Sequence, residues 1–204
     1  MKKYILAILL IACSLGQAKA QDLYDSWDIL AGVKAGVSMS TLTKLSGDPM
    51  IGPHGAAMVE TFLTPYLAWE IEVQLTHKGM RNVYYQGVNG PYEYRFDYVG
   101  TSNLWKYVFL GQHLDVYTGW TVGRLFNAKS EFEGHSTNIR GHLHYTDFAV
   151  PFGAEVRFGR FCLDARWNWC PVKLADSDKA KNILGPARHQ SFIFTVGYKF
   201  PVLH

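Results

Sequence analysis

Long apolar runs are what this sequence most plainly lacks. After residue 20 no stretch stays apolar for even a dozen residues, short of the roughly 20 that a helix needs to cross a bilayer. A helical membrane protein is therefore excluded. No segment carries a sustained 3.6-residue pattern either. Turn and aromatic residues are plentiful instead: 19 Gly and 15% aromatics suit a strand-and-turn protein better than a helical one.

The compact apolar stretch at the start, Tyr4 to Leu15, follows Lys2 and Lys3 and leads to Ala18-Lys19-Ala20 just before Gln21. A charged start, a short apolar middle and a small-x-small site describe a cleavable secretory leader rather than a membrane span. Residues 1–20 are accordingly expected to be removed, and residues 21–204 to form one exported domain. Surplus charge leaves with the leader. Lys2, Lys3 and Lys19 account for the excess of 20 Lys+Arg over 17 Asp+Glu, so the mature chain is formally neutral. No nucleic-acid partner is expected, because that would call for a basic surplus.

Cysteine is scarce, with 3 in the chain. Cys13 lies in the leader, where Leu10-Ile11-Ala12-Cys13 resembles a lipoprotein signal, while Ala18-Lys19-Ala20 offers a competing cut. Cys162 and Cys170 fall in one expected strand, about 26 Å apart at ~3.3 Å per residue, too far for a disulfide. They read as two small side chains of the strand's inner face rather than a metal or redox pair.

What the mature chain has is period-two patterning in eight stretches, near 30–41, 55–64, 66–78, 96–109, 113–125, 147–158, 161–171 and 190–202. One parity carries charge in every strand: Lys34, Glu60, Glu70, Glu72, Lys106, Asp115, Glu155, Arg157, Asp164, Arg166 and Lys199. The opposite parity carries none, and holds Trp69, Trp105, Tyr107, Phe109, Trp120, Phe148, Phe152, Phe158, Trp167, Trp169, Phe192, Phe194, Tyr198 and Phe200. Either a membrane barrel with the uncharged face toward lipid or a soluble, lipocalin-like ligand carrier with that face inward would give this alternation. Volume decides. An eight-stranded barrel is only just wide enough for ordinary side chains, and five Trp, seven Phe and two Tyr would overfill it.

Turned outward, the same residues supply an apolar band with aromatic girdles, to which Trp69, Phe109, Phe158 and Phe200 belong by their places near strand ends. Connection lengths agree: tight links at Thr64-Pro65, 110–112 and Gly159-Arg160 alternate with long ones near 42–54, 79–95, 126–146 and 172–189. The expected fold is all-β, an eight-stranded antiparallel up-and-down transmembrane barrel with outer-membrane lipid as its partner.

The chain resembles the outer-membrane β-barrel family often called "porin family" or PorT-like, from Gram-negative bacteria. The residues that carry the likeness are Gly32 to Ser38, Leu67 to Gln74 with His77-Lys78-Gly79, Tyr98 to Tyr107, Tyr117 to Leu125, Leu163 to Asn168 and Gly197 to Phe200. It implies fold and an outer-membrane location, and says little of activity. Thr101-Ser102-Asn103 departs from the usual apolar-Pro-apolar step and puts Asn103 on the lipid face, and Pro201 to His204 follow the aromatic-ended last strand.

Five inward cations against six anions in so narrow a bore favour a salt-linked plug over a narrow polar channel. A two-residue turn at Gly159-Arg160 places Glu155 opposite Asp164, with Arg157–Asp164 and Glu155–Arg166 as diagonal partners. His135, His142 and His144 share a long loop without a fixed carboxylate or thiol pattern, so a solvated loop is favoured over a metal site. Ser130, Ser136 and Asp147 lie nearby, but nothing in the spacing fixes a hydrolase geometry. Tyr84, Tyr85, Tyr92, Tyr94 and Tyr98 fit equally an exposed binding loop and an extended hairpin standing on the outer girdle. The expectation is a non-enzymatic monomer without cofactor or metal, structural or adhesive through its loops. A small-solute channel is the alternative.

Overall fold

The computed structural model describes residues 24–84, 90–176, 178 and 184–203. The leader, Cys13 and Tyr85 lie outside the described residues. Nine strands follow one another: β1 (Ile29–Leu42), β2 (Asp48–Thr64), β3 (Leu67–Val83), β4 (Tyr92–Phe109), β5 (Leu114–Phe132), β6 (His135–Asn138), β7 (Thr146–Phe158), β8 (Phe161–Trp169) and β9 (His189–Leu203). Each is antiparallel to its neighbours, and β1 pairs with β9 to close a ring of eight. The short β6 stays outside the ring, paired only with the far end of β5. The chain is thus an eight-stranded up-and-down barrel, which leaves no open sheet edge in the wall.

Local chemistry explains the tight end. Gly159 has φ 62 while Arg160 does not enter the positive region, which fits a two-residue II′ hairpin between Phe158 and Phe161. The turn between β4 and β5 holds Leu110, Gly111 and Gln112 at positive φ (50, 62 and 66). Such strain is uncommon outside Gly and needs anchoring. Gln112 has that anchor: its side-chain amide donates to the Tyr24 carbonyl at 2.8 Å and its Oε1 accepts from the Tyr24 backbone N–H at 2.8 Å.

At the other end the strands outrun their expected limits. β2 begins at Asp48 rather than near 55, β3 continues to Val83, β4 starts at Tyr92 and β5 reaches Phe132. The reason is an inward apolar ladder in segments that read as loop. Met80, Val83, Tyr94, Phe96, Leu125 and Ala128 turn into the bore and pack with Leu42. Loop residues Leu143, Leu174, Ala175, Leu184 and Ala187 fold in over them. A single-residue bulge at Phe126 switches the inward parity of β5, since Tyr98 faces Leu125 while Asp97 faces Asn127, so that Ala128 stays inward opposite Phe96. At the last strand the ladder runs past Phe200 to Leu203, with a register shift where Leu30 meets Pro201.

Side-chain direction is the decisive feature. Outward residues are open: Val73 is 56% exposed, Phe194 49% and Trp105 44%. Inward Glu70, Lys106 and Glu155 are 0% exposed. A soluble carrier would require the reverse. The outer face of β4 stays uncharged from Val99 to Phe109 and that of β3 from Leu67 to Leu75. These are roughly the 9–11 residues a tilted strand needs to cross hydrocarbon. Aromatic side chains stack on this face, Trp69 on Trp105 (centroids 6.1 Å) and Trp167 between Phe152 (6.0 Å) and Phe192 (6.4 Å). Tyr107, Phe109, Trp120, Trp169 and Phe200 are exposed on it, Phe158 and Asn103 half-exposed.

Candidate functional site

The bore is a stack of layers. At its turn end Leu30, Phe62, Ala68 and Val108 point inward, and Tyr24 stacks on Phe62 at 5.0 Å. The segment before β1 is laced across this mouth: the Trp27 N–H donates to the Phe62 carbonyl (2.6 Å) and the Phe62 N–H to the Asp28 carbonyl (3.0 Å). Apolar packing and backbone bonds together close that end.

Above it lies the ionic core. All eleven charged residues singled out from the sequence are buried on the inner face: Lys34, Glu60, Glu70, Glu72, Lys106, Asp115, Glu155, Arg157, Asp164, Arg166 and Lys199. Lys34 Nζ reaches Glu70 (2.7 Å), Glu72 (3.0 Å), Glu155 (3.0 Å) and Asp164 (3.3 Å). Lys106 Nζ donates to Glu70 (2.5 Å) and Glu155 (3.1 Å). Lys199 donates to Glu60 at 2.7 Å and also to Glu155. Arg157 bridges Glu60 (2.6 Å) and Asp115. Arg166 grips Glu72 through both guanidinium nitrogens, at 2.7 and 2.8 Å. Each ion is desolvated, so mutual pairing is what makes burial tolerable.

Strand pairing accounts for part of this. Glu155 stands directly opposite Asp164 across the Gly159-Arg160 hairpin. Both arginines nevertheless reach across the bore, Arg157 to Glu60 on β2 and Arg166 to Glu72 on β3, while Arg157 also holds Asp115 on the adjacent β5. Among the described residues neither expected diagonal pair, Arg157–Asp164 or Glu155–Arg166, forms; each arginine instead lies near the acid two residues before it on its own strand, Arg166 3.7 Å from Asp164 and Arg157 3.4 Å from Glu155, both longer than the cross-bore pairs. In a closed cylinder a long side chain reaches the far wall as readily as its diagonal neighbour.

Sequence reasoning missed several members. Tyr117 donates to Asp164 at 2.8 Å and accepts from Arg166 Nε at 3.0 Å. Its parity, shared with Asp115, was the available signal. A second ionic layer lies toward the loops, where Lys78 Nζ meets Asp147 at 2.6 Å, beside the Cys170 thiol (3.8 Å). There Tyr98 also bonds His189 at 3.1 Å. Lys78 sat at the expected end of its strand, where inward and outward were hardest to separate.

Glu60, Glu70 and Glu155 bring carboxylate oxygens within 4.8 Å of one another. The Lys106 and Lys199 ammoniums already lie among them, with Lys106 3.6 Å from Glu60 and Lys199 3.5 Å from Glu70. The trio therefore belongs to a lysine-neutralised cluster and offers a metal little uncompensated charge.

The loop candidates do not assemble. Asp147 turns into the bore, while Ser136 and His135 lie exposed on β6 and Ser130 is half-buried on β5. His142 and His144 flank buried Leu143, and His144 contacts Asp176 at 3.5 Å on the surface. The tyrosine group divides as well. Tyr94 and Tyr98 are buried in the bore, Tyr92 stacks on Phe132 (4.5 Å), and Tyr84 is exposed. Four of the five thus line an extended hairpin or its loop rather than one exposed patch. Cys162 and Cys170 are free and buried on the inner face of the β8 region.

Outward charge begins where the apolar band ends. His77 Nδ1 meets Asp97 at 2.5 Å, Asn127 donates to the other Asp97 oxygen at 2.7 Å, and farther out Arg95 pairs with Glu93 (2.7 Å) and Glu131 (3.3 Å).

No family model and no curated protein sequence matches the chain. Solved structures do. Neisserial surface protein A is 13% identical over 84% of this chain and 97% of its own, with a TM-score of 0.50. Ail of Yersinia pestis, crystallised with the heparin analogue sucrose octasulfate, is 14% identical over 85% and 99%, with a TM-score of 0.48. OprG of Pseudomonas aeruginosa is 10% identical over 87% and 97%, with a TM-score of 0.42. At such identities the likeness speaks of fold, and the superposition on the Neisserial protein carries it. By that likeness and by its own closed ring of strands, this chain has the fold of an eight-stranded outer-membrane β-barrel, with an apolar band on its outer face.

Proposed function

We propose that the protein is exported, inserts into an outer membrane as a monomer, and works there without catalysis, as a closed structural barrel that presents its loops for binding at the cell surface. The observation that carries this reading is closure of the bore. Tyr24 and Phe62 stop the turn end, the ionic core fills the middle, and Leu143, Leu174 and Leu184 sit within the apolar cluster at the loop end. A conducting pore needs a continuous polar path, and here two apolar seals interrupt it.

Outward composition supports lipid as the partner of the wall, and the strand extensions support a partner beyond it. β3, β4 and β5 continue well past the apolar band. They carry Arg81, Arg95, Lys129 and, on β6, His135 into solvent. A hairpin that rigid holds contact residues in place at low entropic cost. The mixed charges fit a polar extracellular ligand or protein.

Planar-bilayer recording of the purified protein tests the reading. No steady ion current is expected. A steady ohmic current would identify a narrow small-solute channel instead.

A further inference from the structure

The outer wall is indented where two strands each carry one residue more than their partners. Between Pro49 and His54, β2 sets four residues against the three of β3 from His77 to Gly79, and β5 adds Phe126 between the partners of Asp97 and Tyr98. Bulges of this kind interrupt the ladder and re-aim side chains. A pocket of about 370 Å³ lies at this level, lined by Pro53, Gly55, Leu75, His77, Asp97 and Phe126. Leu75 and Phe126 are exposed on the outer face, so the pocket opens outward. Its volume is at the low end of what small-molecule sites occupy.

The pocket straddles the edge of the apolar band. Leu75 faces Val99, the last apolar pair, and His77 faces Asp97, the first polar one. One half of the lining is therefore alkyl and aromatic. The other half is a hydrogen-bonded chain, in which Asp97 takes His77 Nδ1 on one oxygen (2.5 Å) and the Asn127 amide on the other (2.7 Å). Two glycines shape the space. A Cβ on Gly52 would come within 2.4 Å of the His77 ring, so the imidazole can lie against β2 only because that residue has no side chain. At Gly55 a Cβ would meet the Lys34 carbonyl alone, at 3.8 Å, so the missing side chain there is open pocket.

What the polar end still offers is acceptors. Each Asp97 oxygen accepts one bond and has room for a second, and a neutral imidazole that donates through Nδ1 keeps a lone pair on Nε2. Among the described residues no lysine or arginine lines the pocket. Arg95, two residues farther out on β4, is held by Glu93 and Glu131. The lining is thus negative through Asp97. A complementary ligand brings a cationic donor, which the Phe126 ring also suits, and an apolar body to cover Leu75 and Pro53.

We propose that this pocket binds a single-chain amphiphile with an ammonium head, the head at Asp97 and the alkyl chain along Leu75, Pro53 and Phe126. An anionic head would meet the carboxylate instead of a donor. The space suits one chain rather than a whole two-chain lipid. Because the site lies on the outer wall, it stands whether or not the bore conducts.

The test titrates decylamine into the full mature barrel in uncharged micelles and follows the His77 imidazole and the Asn127 side-chain amide by NMR. Both signals are expected to move to saturation. Asp97→Asn should weaken binding by about tenfold or more, the loss of one charge-assisted hydrogen bond. Gly55→Leu should block the pocket while leaving Asp97, His77 and Asn127 in place, and it serves as the second variant should the first not fold. Decyl sulfate, which the exposed Arg124 opposite Val99 would favour, should leave both signals unmoved. Shifts that grow without saturating, an affinity unchanged in every folded variant, or sulfate bound as tightly as the amine would each overturn the site.

Discussion

Arg166 on β8 crosses the bore to Glu72 on β3 and binds both of its carboxylate oxygens, at 2.7 and 2.8 Å. The bond joins walls that are far apart in the sheet, because β8 and β3 are separated by β9, β1 and β2 in one direction. A single side chain thus braces the cylinder across its diameter. Bidentate geometry also holds the guanidinium in one plane, which leaves its Nε free to meet Tyr117.

Replacing Arg166 with Met removes one partner of that buried pair and leaves Glu72 with Lys34 alone. The expected loss is about 3–5 kcal/mol, read from urea unfolding in detergent or vesicles. Adding Glu72→Gln to the same protein should recover part of it, since the stranded carboxylate is the larger share of the penalty. An unfolding midpoint that does not move in Arg166→Met would remove the brace.

The turn-end seal is a separate packing unit. Phe62 is fully buried, stacks on Tyr24 and lies under the Arg157 guanidinium (5.1 Å to the ring centroid). Phe62→Ala should destabilise by about 3–5 kcal/mol through lost burial and the cavity left behind. Gln112→Ala, which releases the same segment without opening a core cavity, is expected to cost less, about 1 kcal/mol per backbone bond lost. Equal midpoints for the two variants would contradict this division.

Depth in the wall gives a third expectation. Val73 points outward within the apolar band, whereas Arg81 lies on the same strand beyond it. Val73→Arg should lower stability by about 2–4 kcal/mol in vesicles, while Arg81→Val should change it by well under that. If the two substitutions cost alike, the band would not be where the outward side chains place it.

Cys162 and Cys170 provide a chemical readout. Both thiols are buried and unbridged, in the same strand region but at different levels of the bore. Folded protein should react slowly with a bulky thiol reagent and label at both positions after unfolding. An oxidant should leave them unlinked, since about 26 Å of strand separates them at ~3.3 Å per residue. Rapid labelling of the folded barrel would mean an open mouth.

Much of the fold was legible because two environments impose a period of two. Lys34, Glu70, Glu155 and Lys199 announced one face of the sheet, and Val73, Trp105 and Phe194 the other. Strand ends were less legible for a specific reason. Met50, Met80, Tyr94 and Phe96 face inward as apolar residues, so the rule that inward means charged broke down above the band. Gly52-Pro53 and Gly79 fell in the expected long connections near 42–54 and 79–95, yet they lie within β2 and β3. The site was legible by membership more than by partnership. Parity identifies which charges enter the bore, but reach across a cylinder decides which ones meet, as Arg157 with Glu60 and Lys78 with Asp147 do.

Quenching of a single tryptophan tests the orientation of the wall most directly. With Trp105 as the sole tryptophan and the barrel in vesicles, lipids brominated along the acyl chain should quench its emission strongly, and aqueous iodide should hardly affect it. Emission untouched by brominated lipid, in a protein that stays in solution without detergent, would contradict the account.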